Sequence, residues 1–272
     1  MKSSRNDEML TFGDHLKVFR RMFFHIIAVT GTITCGIFYF KETTWEVLLA
    51  PSEWDFCTYR WIESVMQLFS RDFRFNEFYV NLIATDLSSQ FMTHITTAVY
   101  LGALGASPYI LFELFRFISP ALYENERRYS VQVAGIIYVL FIFGVLMSYF
   151  VLFPISFRFL GTYSVSAKVI SNITLDSYIS TFVSLTLVMG VVFQLPVIAF
   201  FLSKMGVITS AMLAQYRKHS FVVIMLVAAI ITPPDIVTLF LVTIPLYLLY
   251  ELSVRIVKAV ESSRRKCSGN FA

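Results

Sequence analysis

The chain has 272 residues, of which 57% are hydrophobic and only 15% are charged, and its net charge is +4. A soluble domain carries about 25% charged residues, so this composition excludes an ordinary soluble domain. The apolar residues form long uninterrupted blocks, which predict an all-α integral membrane protein.

Six apolar stretches predict transmembrane helices. They follow a basic N-terminal segment, residues 1–21, whose apolar side chains recur at the spacing of an interfacial helix. The predicted spans are residues 22–40, 91–115, 131–153, 177–202, 220–231 and 236–250. The last two measure about 18 and 22 Å, less than the hydrocarbon core of a bilayer. Residues 22–257 are therefore expected to form one membrane domain, followed by a basic tail, residues 258–272.

Prolines and a capping residue set the predicted ends of these spans. We expect Pro108 to interrupt the second span and Pro154 to stop the third. Asp176 is a suitable N-cap for the fourth span. The pair Pro233-Pro234 separates the last two spans, because two consecutive prolines cannot continue a helix.

The loop between the first two spans, residues 41–90, is extended and holds all three tryptophans. Trp61, Val65, Leu68 and Phe69 in this loop share one helical face, which predicts a short helix along the membrane surface. Most of the 22 Lys and Arg residues lie in the N-terminal segment, the tail and the second and fourth loops. The positive-inside rule therefore predicts that both termini are cytoplasmic and that the long first loop is external.

The stretch between the second and third spans combines charge, proline and aromatic side chains. Ser119 followed by Pro120 is a signal for the start of a helix. The second span is therefore expected to end near Phe117, with a short helix after it.

The acidic residues of this stretch have two possible roles. Glu126 lies one helical turn after Leu122, where its carboxylate could receive a guanidinium in a bidentate contact. Alternatively, Glu124 and Glu126 offset the charges of Arg127 and Arg128 on a solvated turn. The spacing of the residues alone favours the second role, the offset of charge.

Gln194 is a polar side chain inside the fourth predicted span. An unpaired amide is costly in hydrocarbon. It therefore either makes an interhelical hydrogen bond or marks a polar spot in a cavity for a partner helix or ligand. Prolines in several spans and the short last pair further indicate an uneven bundle with a groove on its flank.

Enzyme motifs are missing from the sequence, which has no metalloprotease, hydrolase or phosphate-loop pattern and no Cys/His cluster with metal-ligand spacing. The spans hold almost no ionisable residues, which argues against an ion pathway. Glu113 is an exception near a span end, where Arg116 is expected to pair with it. We therefore expect no catalytic residue, no metal, no cofactor and no nucleic-acid partner.

Several ordered motifs resemble those of the TatC family, the multispanning subunit of the twin-arginine protein translocase. The family's loop pattern is matched at Phe117, Pro120, Ala121, Leu122, Tyr123, Glu126 and Arg127. Other matches are the N-terminal signature His15, Leu16 and Arg20, then Ala84-Thr85-Asp86 with Phe91, and residues 192–196, 216–218 and 232–235.

The resemblance implies a receptor for twin-arginine signal peptides and the core of a translocase that uses the proton-motive force to export folded proteins. Its implied partners in the bacterial inner membrane are TatA- and TatB-like single-span subunits, further copies of the chain and lipid. The implied signal-peptide site is Phe117, Pro120, Leu122, Tyr123, Glu124, Glu126 and Arg127. The implied groove and partner contacts are Gln194, Pro196, Thr232, Pro233, Pro234 and Asp235.

Two positions depart from the family's pattern. Val18 stands where the N-terminal signature usually has a glutamate, and Gln194 stands where the fourth span usually has one. The first change removes a carboxylate, and the second keeps a hydrogen-bonding group without its ionisation. The alternative function is a solute transporter with a site between helices, which would require inverted repeats that the sequence does not show.

Overall fold

The computed structural model describes residues 12–68, 78–118, 130–164, 166 and 172–269. This part of the chain is almost entirely helical. Its helices are α1 (Phe12–Tyr39), α2 (Lys41–Leu49), α3 (Cys57–Gln67), α4 (Ser89–Ile118), α5 (Ser130–Met147), α6 (Phe153–Thr162), α7 (Leu175–Val192), α8 (Leu195–Lys204), α9 (Ser210–Gln215), α10 (Arg217–Ile231) and α11 (Ile236–Gly269). Two short strands, β1 (Leu82–Ile83) and β2 (Ile173–Thr174), pair in parallel with Leu82 opposite Ile173.

Five helical stretches of the described residues are long and apolar enough to cross a membrane. They are Lys17–Tyr39, Ser89–Arg116, Ala134–Thr162, Leu175–Lys204 and Ile236–Ser262, and they correspond to the first four predicted spans and the last. The fifth predicted span is α10, whose 15 residues measure about 22 Å. The chain is therefore a multi-pass membrane protein with one shorter apolar helix among its long ones.

Two prolines that were predicted to interrupt or end a helix do not do so. α4 continues through Pro108 without a break. The third span also continues beyond Pro154, because a π-helical turn (Ser148–Leu152) leads into α6, where the proline occupies the first turn. Proline is tolerated there, since the first N–H groups of a helix need no intrahelical partner, and a π turn relieves the local misfit.

The helix that contains the last span is longer than predicted. We expected it to end at Tyr250, but α11 continues to Gly269 and takes in most of the predicted tail. Two contacts link this extension to the preceding helices. Arg217 Nη2 donates to Glu251 Oε1 at 2.7 Å, and the backbone N–H of Ser210 donates to Glu261 Oε1 at 2.9 Å. Glu251 and Glu261 of this extension thus have partners in α10 and α9.

The fourth span is a broken helix. α7 ends at Val192, α8 begins at Leu195, and Pro196 lies in the first turn of α8. At the other end, the prediction of Asp176 as the N-cap is wrong. Thr174 is the cap, since its Oγ1 accepts a hydrogen bond from the N–H of Ser177 at 3.2 Å. The helix therefore starts two residues earlier than the apolar pattern indicates.

α1 and α4 pack side by side and run in opposite directions. The ring of Phe38 stacks on His94, with centroids 4.3 Å apart, and Thr34 lies against Gly102, which leaves no room for a larger residue. α5 and α7 also approach closely, since a Cβ on Gly144 would lie 2.6 Å from the carbonyl oxygen of Met189. Small residues at such positions allow close helix packing without lipid between the helices.

The largest buried side chains lie at the end of the bundle where α2 and α3 meet α6 and α7. Tyr178 contacts the rings of Phe153 and Phe157 edge to face, at 5.0 Å in each case. Leu48 and Tyr59 are buried beside them. We call α2, α3 and the β1–β2 pair the cap, because they cover this end of the bundle.

Candidate functional site

The predicted signal-peptide stretch follows directly on α4. The helix ends at Ile118, close to the predicted end at Phe117. The other predicted residues, Pro120, Leu122, Tyr123, Glu124, Glu126 and Arg127, lie outside the described residues. The predicted ion pair before them is confirmed, with 3.7 Å between Arg116 Nη1 and Glu113 Oε1. A cation in the last turn of a helix also interacts favourably with the helix dipole.

The N-terminal signature lies on α1, which carries His15, Leu16 and Arg20 and continues without interruption into the first span. Arg20 is exposed. Arg20 lies 14 residues before Thr34 in α1, and Arg116 lies 14 residues after Gly102 in α4. Because Thr34 and Gly102 are in contact, the antiparallel packing places Arg20 level with the last turn of α4. The signature and the start of the predicted loop are therefore at the same end of the bundle.

Gln194 lies in the break between α7 and α8. Its Nε2 donates a hydrogen bond to the carbonyl of Ile137 in α5 at 3.1 Å. The interhelical hydrogen bond that was one of its two predicted roles is therefore present. The Oε1 atom is buried and has no partner among the described residues. Pro196 follows in the first turn of α8 and has no N–H for the carbonyl of Val192, the bond that a continuous helix would make.

The predicted break between the last two spans, Thr232 to Asp235, is a compact turn in which the N–H of Asp235 donates to the carbonyl of Pro233 at 2.7 Å. Thr232 Oγ1 donates to the carbonyl of Ala228 at 2.9 Å. Asp235 caps α11, because its Oδ1 accepts from the N–H of Thr238 at 2.6 Å. Its Oδ2 is buried with no partner among the described residues. Of the two prolines, Pro233 is half-buried and Pro234 is exposed.

The structure does not bring the predicted groove residues together. Thr232 and Pro233 line a cavity of about 740 Å³ against α6 and the first half of α7. The last α7 residue of this lining is Ser184. Gln194 lies about 15 Å further along the fourth span. The turn and Gln194 are therefore separate features, the turn beside the first half of the span and Gln194 in its second half.

The cavity beside the turn is rich in hydroxyl groups, which the sequence reasoning missed. Its lining includes Ser156, Ser177, Thr181 and Ser184. The last three recur at helical spacing on one face of α7, a pattern visible in the sequence. Ser156 Oγ is buried and has no partner among the described residues. The cavity can therefore offer hydrogen bonds to a polar group.

A larger cavity of about 780 Å³ opens between α1, α2, α4, α5 and α7 and is almost wholly apolar. Its lining includes Ile37, Leu104, Val145 and Phe182. The hydroxyl of Thr186 in the lining is already paired with that of Ser148 at 3.3 Å. Such a surface suits a hydrocarbon chain or an apolar peptide segment.

The cap is attached to the spans at carbonyl groups that prolines leave without a donor. Pro154 has no N–H for the carbonyl of Phe150, and the hydroxyl of Thr58 donates to that carbonyl instead. Pro51 leaves the carbonyl of Val47 in the same position, and the hydroxyl of Tyr149 donates to it at 2.7 Å. Each side of the cap–span boundary therefore supplies a donor that the other side lacks.

Tyrosine hydroxyls complete this attachment. Tyr178 donates to the carbonyl of Leu48 at 2.7 Å. The hydroxyl of Tyr59 lies 3.0 Å from the carbonyl of Pro51 and 2.9 Å from that of Pro154, and its single proton serves both. Burial raises the pKa of Tyr59, and the nearby guanidinium of Arg158 partly opposes this effect. The Tyr59 hydroxyl therefore stays protonated and remains a donor at physiological pH.

Known proteins show which family has this architecture. The sequence profile of the Sec-independent protein translocase protein (TatC) matches residues 14–245, which is most of the chain. This chain belongs to the TatC family.

Relatives and solved structures agree with this membership. The TatC protein of Blattabacterium sp. subsp. Periplaneta americana (strain BPLAN) is 32% identical over 260 residues, covering 94% of this chain and 97% of that protein. The TatC protein of Aquifex aeolicus (strain VF5) is 31% identical over 256 residues, covering 93% and 97%. The crystal structure of the twin-arginine translocase receptor TatC matches with a TM-score of 0.71 and 30% identity, covering 90% of this chain and 98% of that one.

TatC-family membership identifies the chain as a protein translocase component in a non-enzymatic transport family. It decides against the alternative prediction of a solute transporter. Within the described ranges, no three His, Cys, Asp or Glu side chains are grouped so that they could hold a metal ion.

Proposed function

We propose that this chain recognises twin-arginine signal peptides on folded precursors and forms the core of a translocase driven by the proton-motive force. The observation that carries this proposal is the TatC loop motif, which follows directly on the last turn of α4. That turn is level with Arg20 of the N-terminal signature. The two family motifs would then form one recognition surface at the membrane boundary.

The proposed topology has six crossings, with both termini in the cytoplasm of a bacterium and the protein in its inner membrane. The basic residues favour this orientation. α10 would cross by local thinning of the bilayer, because its 15 residues measure about 22 Å against a core of about 30 Å. The cap would then be external and the predicted recognition loop cytoplasmic.

Glu126 is the proposed receptor of the arginine pair. A carboxylate binds a guanidinium through two parallel hydrogen bonds, which a lysine ammonium cannot reproduce. Val18 is exposed on α1 and provides no second carboxylate at the N-terminal signature. Glu126, supported by Glu124, would therefore carry more of the recognition than in relatives with an acidic N-terminal signature. Phe117, Pro120, Leu122, Tyr123 and Arg127 would shape the surface around it.

The groove and partner contacts are proposed at two separate places. At Gln194, the half-buried side chain would contact a TatA- or TatB-like helix or another copy of the chain, and its unpaired Oε1, which is buried in the structure, would accept a hydrogen bond once that contact moves it outward. At the turn from Thr232 to Asp235, the hydroxyl-lined cavity offers a second polar contact. The apolar cavity of about 780 Å³ would accommodate the apolar segment of a signal peptide.

Site-specific photo-crosslinking tests the recognition site. A photo-crosslinker at Leu122 of the full-length protein in inverted membrane vesicles should capture a precursor whose signal peptide contains Arg-Arg. Glu126→Ala should abolish that capture, whereas Glu53→Ala, a matched change at an exposed residue between α2 and α3, should leave it unchanged. Equal capture of a Lys-Lys precursor, or full capture by the Glu126→Ala variant, would show that the acidic residues only offset neighbouring charges.

Replacement of Gln194 separates its two roles. Gln194→Leu removes both the bond to Ile137 and the free acceptor, and we expect it to weaken co-purification of partner subunits more than it lowers bundle stability. The matched control is Thr186→Val, which removes a buried hydroxyl pair in the same span. If Gln194→Leu mainly destabilises the protein and leaves partner assembly intact, the residue serves the bundle alone.

A further inference from the structure

α3 in the cap has three chemically different faces. Thr58 and Tyr59 are buried against the third span, with 7% and 2% of their surfaces exposed. Trp61 and Leu68 are 68% and 83% exposed. With the half-exposed Val65 they form an apolar face, since they lie four and three residues apart in a helix.

The remaining face of α3 is polar. It consists of Arg60, Glu63 and Gln67, and Gln67 Nε2 donates to Glu63 Oε1 at 3.3 Å. One helix of 11 residues thus presents a protein-facing side, an apolar side and a polar side. This is the pattern of a helix at a boundary between protein, lipid and water.

Hydrogen bonds fix the depth of α3 along the bundle. Thr58 bonds the carbonyl of Phe150, and Tyr59 bonds that of Pro154. The third span lies in the helical stretch Ala134–Thr162, whose 29 residues measure about 44 Å and so exceed the hydrocarbon core of about 30 Å. Pro154 lies about 12 Å before the end of that stretch. The first turn of α3 is therefore near the cap-side boundary of the hydrocarbon.

Arg158 supports this placement. It lies one turn beyond Pro154, and its guanidinium is 4.8 Å from the ring centroid of Phe78 and 5.2 Å from that of Tyr59. A charged head above an aromatic layer is expected at headgroup depth, where long cationic side chains keep their charge out of the hydrocarbon. The aromatic belt of a membrane protein lies at the same depth.

We propose that the Trp61, Val65 and Leu68 face of α3 inserts into the interface of the cap-side leaflet and anchors the cap to lipid. At this depth an exposed apolar face next to a span meets lipid, and tryptophan is enriched in that environment. The polar face is then turned to water. The proposal concerns how the cap meets the bilayer and does not depend on signal-peptide recognition.

Gln67, the last residue of α3, and Leu68, its C-cap, allow a matched test by spin labelling. In the full-length protein with Cys35, Cys57 and Cys267 replaced by serine, one label is attached at Leu68→Cys and another at Gln67→Cys. The two positions differ by about 100° around the helix at nearly equal depth. Accessibility is measured in phospholipid vesicles with oxygen, which concentrates in the bilayer, and with a neutral nickel chelate, which stays in water.

The label at Leu68→Cys should show a several-fold higher ratio of oxygen to nickel accessibility than the label at Gln67→Cys. Equal ratios, or a higher ratio at Gln67→Cys, would mean that the apolar face is in water and would overturn the proposal. Low accessibility of the Leu68→Cys label to both reagents would mean that protein covers this face, and would overturn it as well. Trp61→Cys and Arg60→Cys form a second pair, which should repeat the expected difference.

Discussion

Replacing Thr58 with valine should loosen the attachment of the cap to the third span. The Thr58 hydroxyl donates to the carbonyl of Phe150, whose α-helical donor would come from position 154, a proline. Valine keeps the shape of threonine but has no donor. Thr58 is only 7% exposed, so water does not readily replace the lost hydroxyl.

The expected cost follows from this geometry. An unsatisfied buried acceptor costs about 1–3 kcal/mol, whereas side-chain hydrogen bonds between membrane helices average about 0.6 kcal/mol. A carbonyl beside a proline has fewer alternatives than most, so we expect Thr58→Val to lower the free energy of unfolding by about 1–2 kcal/mol. The assay is reversible unfolding by sodium dodecyl sulfate in mixed micelles, followed by circular dichroism.

Two further variants test the cause. Ser64→Ala, on the exposed side of the same helix, should change stability by less than about 0.5 kcal/mol. Pro154→Ala restores an N–H for the Phe150 carbonyl, so Thr58→Val should cost about 1 kcal/mol less in that background. An equal cost of Thr58→Val with and without Pro154 would refute the argument that the hydroxyl replaces a missing donor.

Three more outcomes follow from other contacts. Gly144→Ala should destabilise the protein by about 1–3 kcal/mol in the same assay, because the new methyl group would meet a backbone carbonyl of α7. Gly135→Ala is the control and should not destabilise it, because the added Cβ would have nothing within 4 Å. Glu251→Gln should cost less than about 1 kcal/mol, since its partner Arg217 is 45% exposed, and a larger loss would mean that this pair fixes α11. Because burial raises the pKa of Tyr59, its stabilising contribution should be complete below the ordinary tyrosine pKa of about 10 and should decline above it. Melting temperatures at pH 8 and pH 11 check this, and Tyr59→Phe should show a smaller alkaline loss than the unmodified chain.

Long apolar blocks could be located from the sequence because hydrophobic thickness demands them. Four predicted spans and the last coincide with long apolar helices. The predicted helix ends were wrong where a contact with a residue far away in the sequence offsets the effect of a helix-ending residue. Pro154 should end a helix, but a π turn absorbs it and Thr58, 92 residues away, satisfies the Phe150 carbonyl. A single sequence gives no local sign of that compensation.

The candidate site was predictable to different degrees. The hydrogen bond of Gln194 followed from the cost of an unpaired amide in hydrocarbon, although its partner Ile137 did not. The ion pair of Glu113 with Arg116 followed from their spacing on one helix. The separation of Gln194 from the turn at Thr232 agrees with the predicted order of the spans, because the turn adjoins the start of the fourth span and Gln194 lies in its second half. The hydroxyl-lined cavity beside the turn did not follow from the sequence, because it depends on how α6 and α7 pack against the turn.

The hydrogen bonds between the cap and the spans can form only in a certain order during biosynthesis. The cap helix α2 is synthesised first. At that stage the residues that donate hydrogen bonds to its last carbonyls, at Val47 and Leu48, have not yet been synthesised. Tyr149 and Tyr178 supply them only when the third and fourth spans emerge. The third span differs, because Thr58, which donates to its Phe150 carbonyl, is synthesised before it. Each new span therefore completes an earlier part of the chain, and a nascent chain halted before Tyr178 would hold α2 with its end only partly bonded.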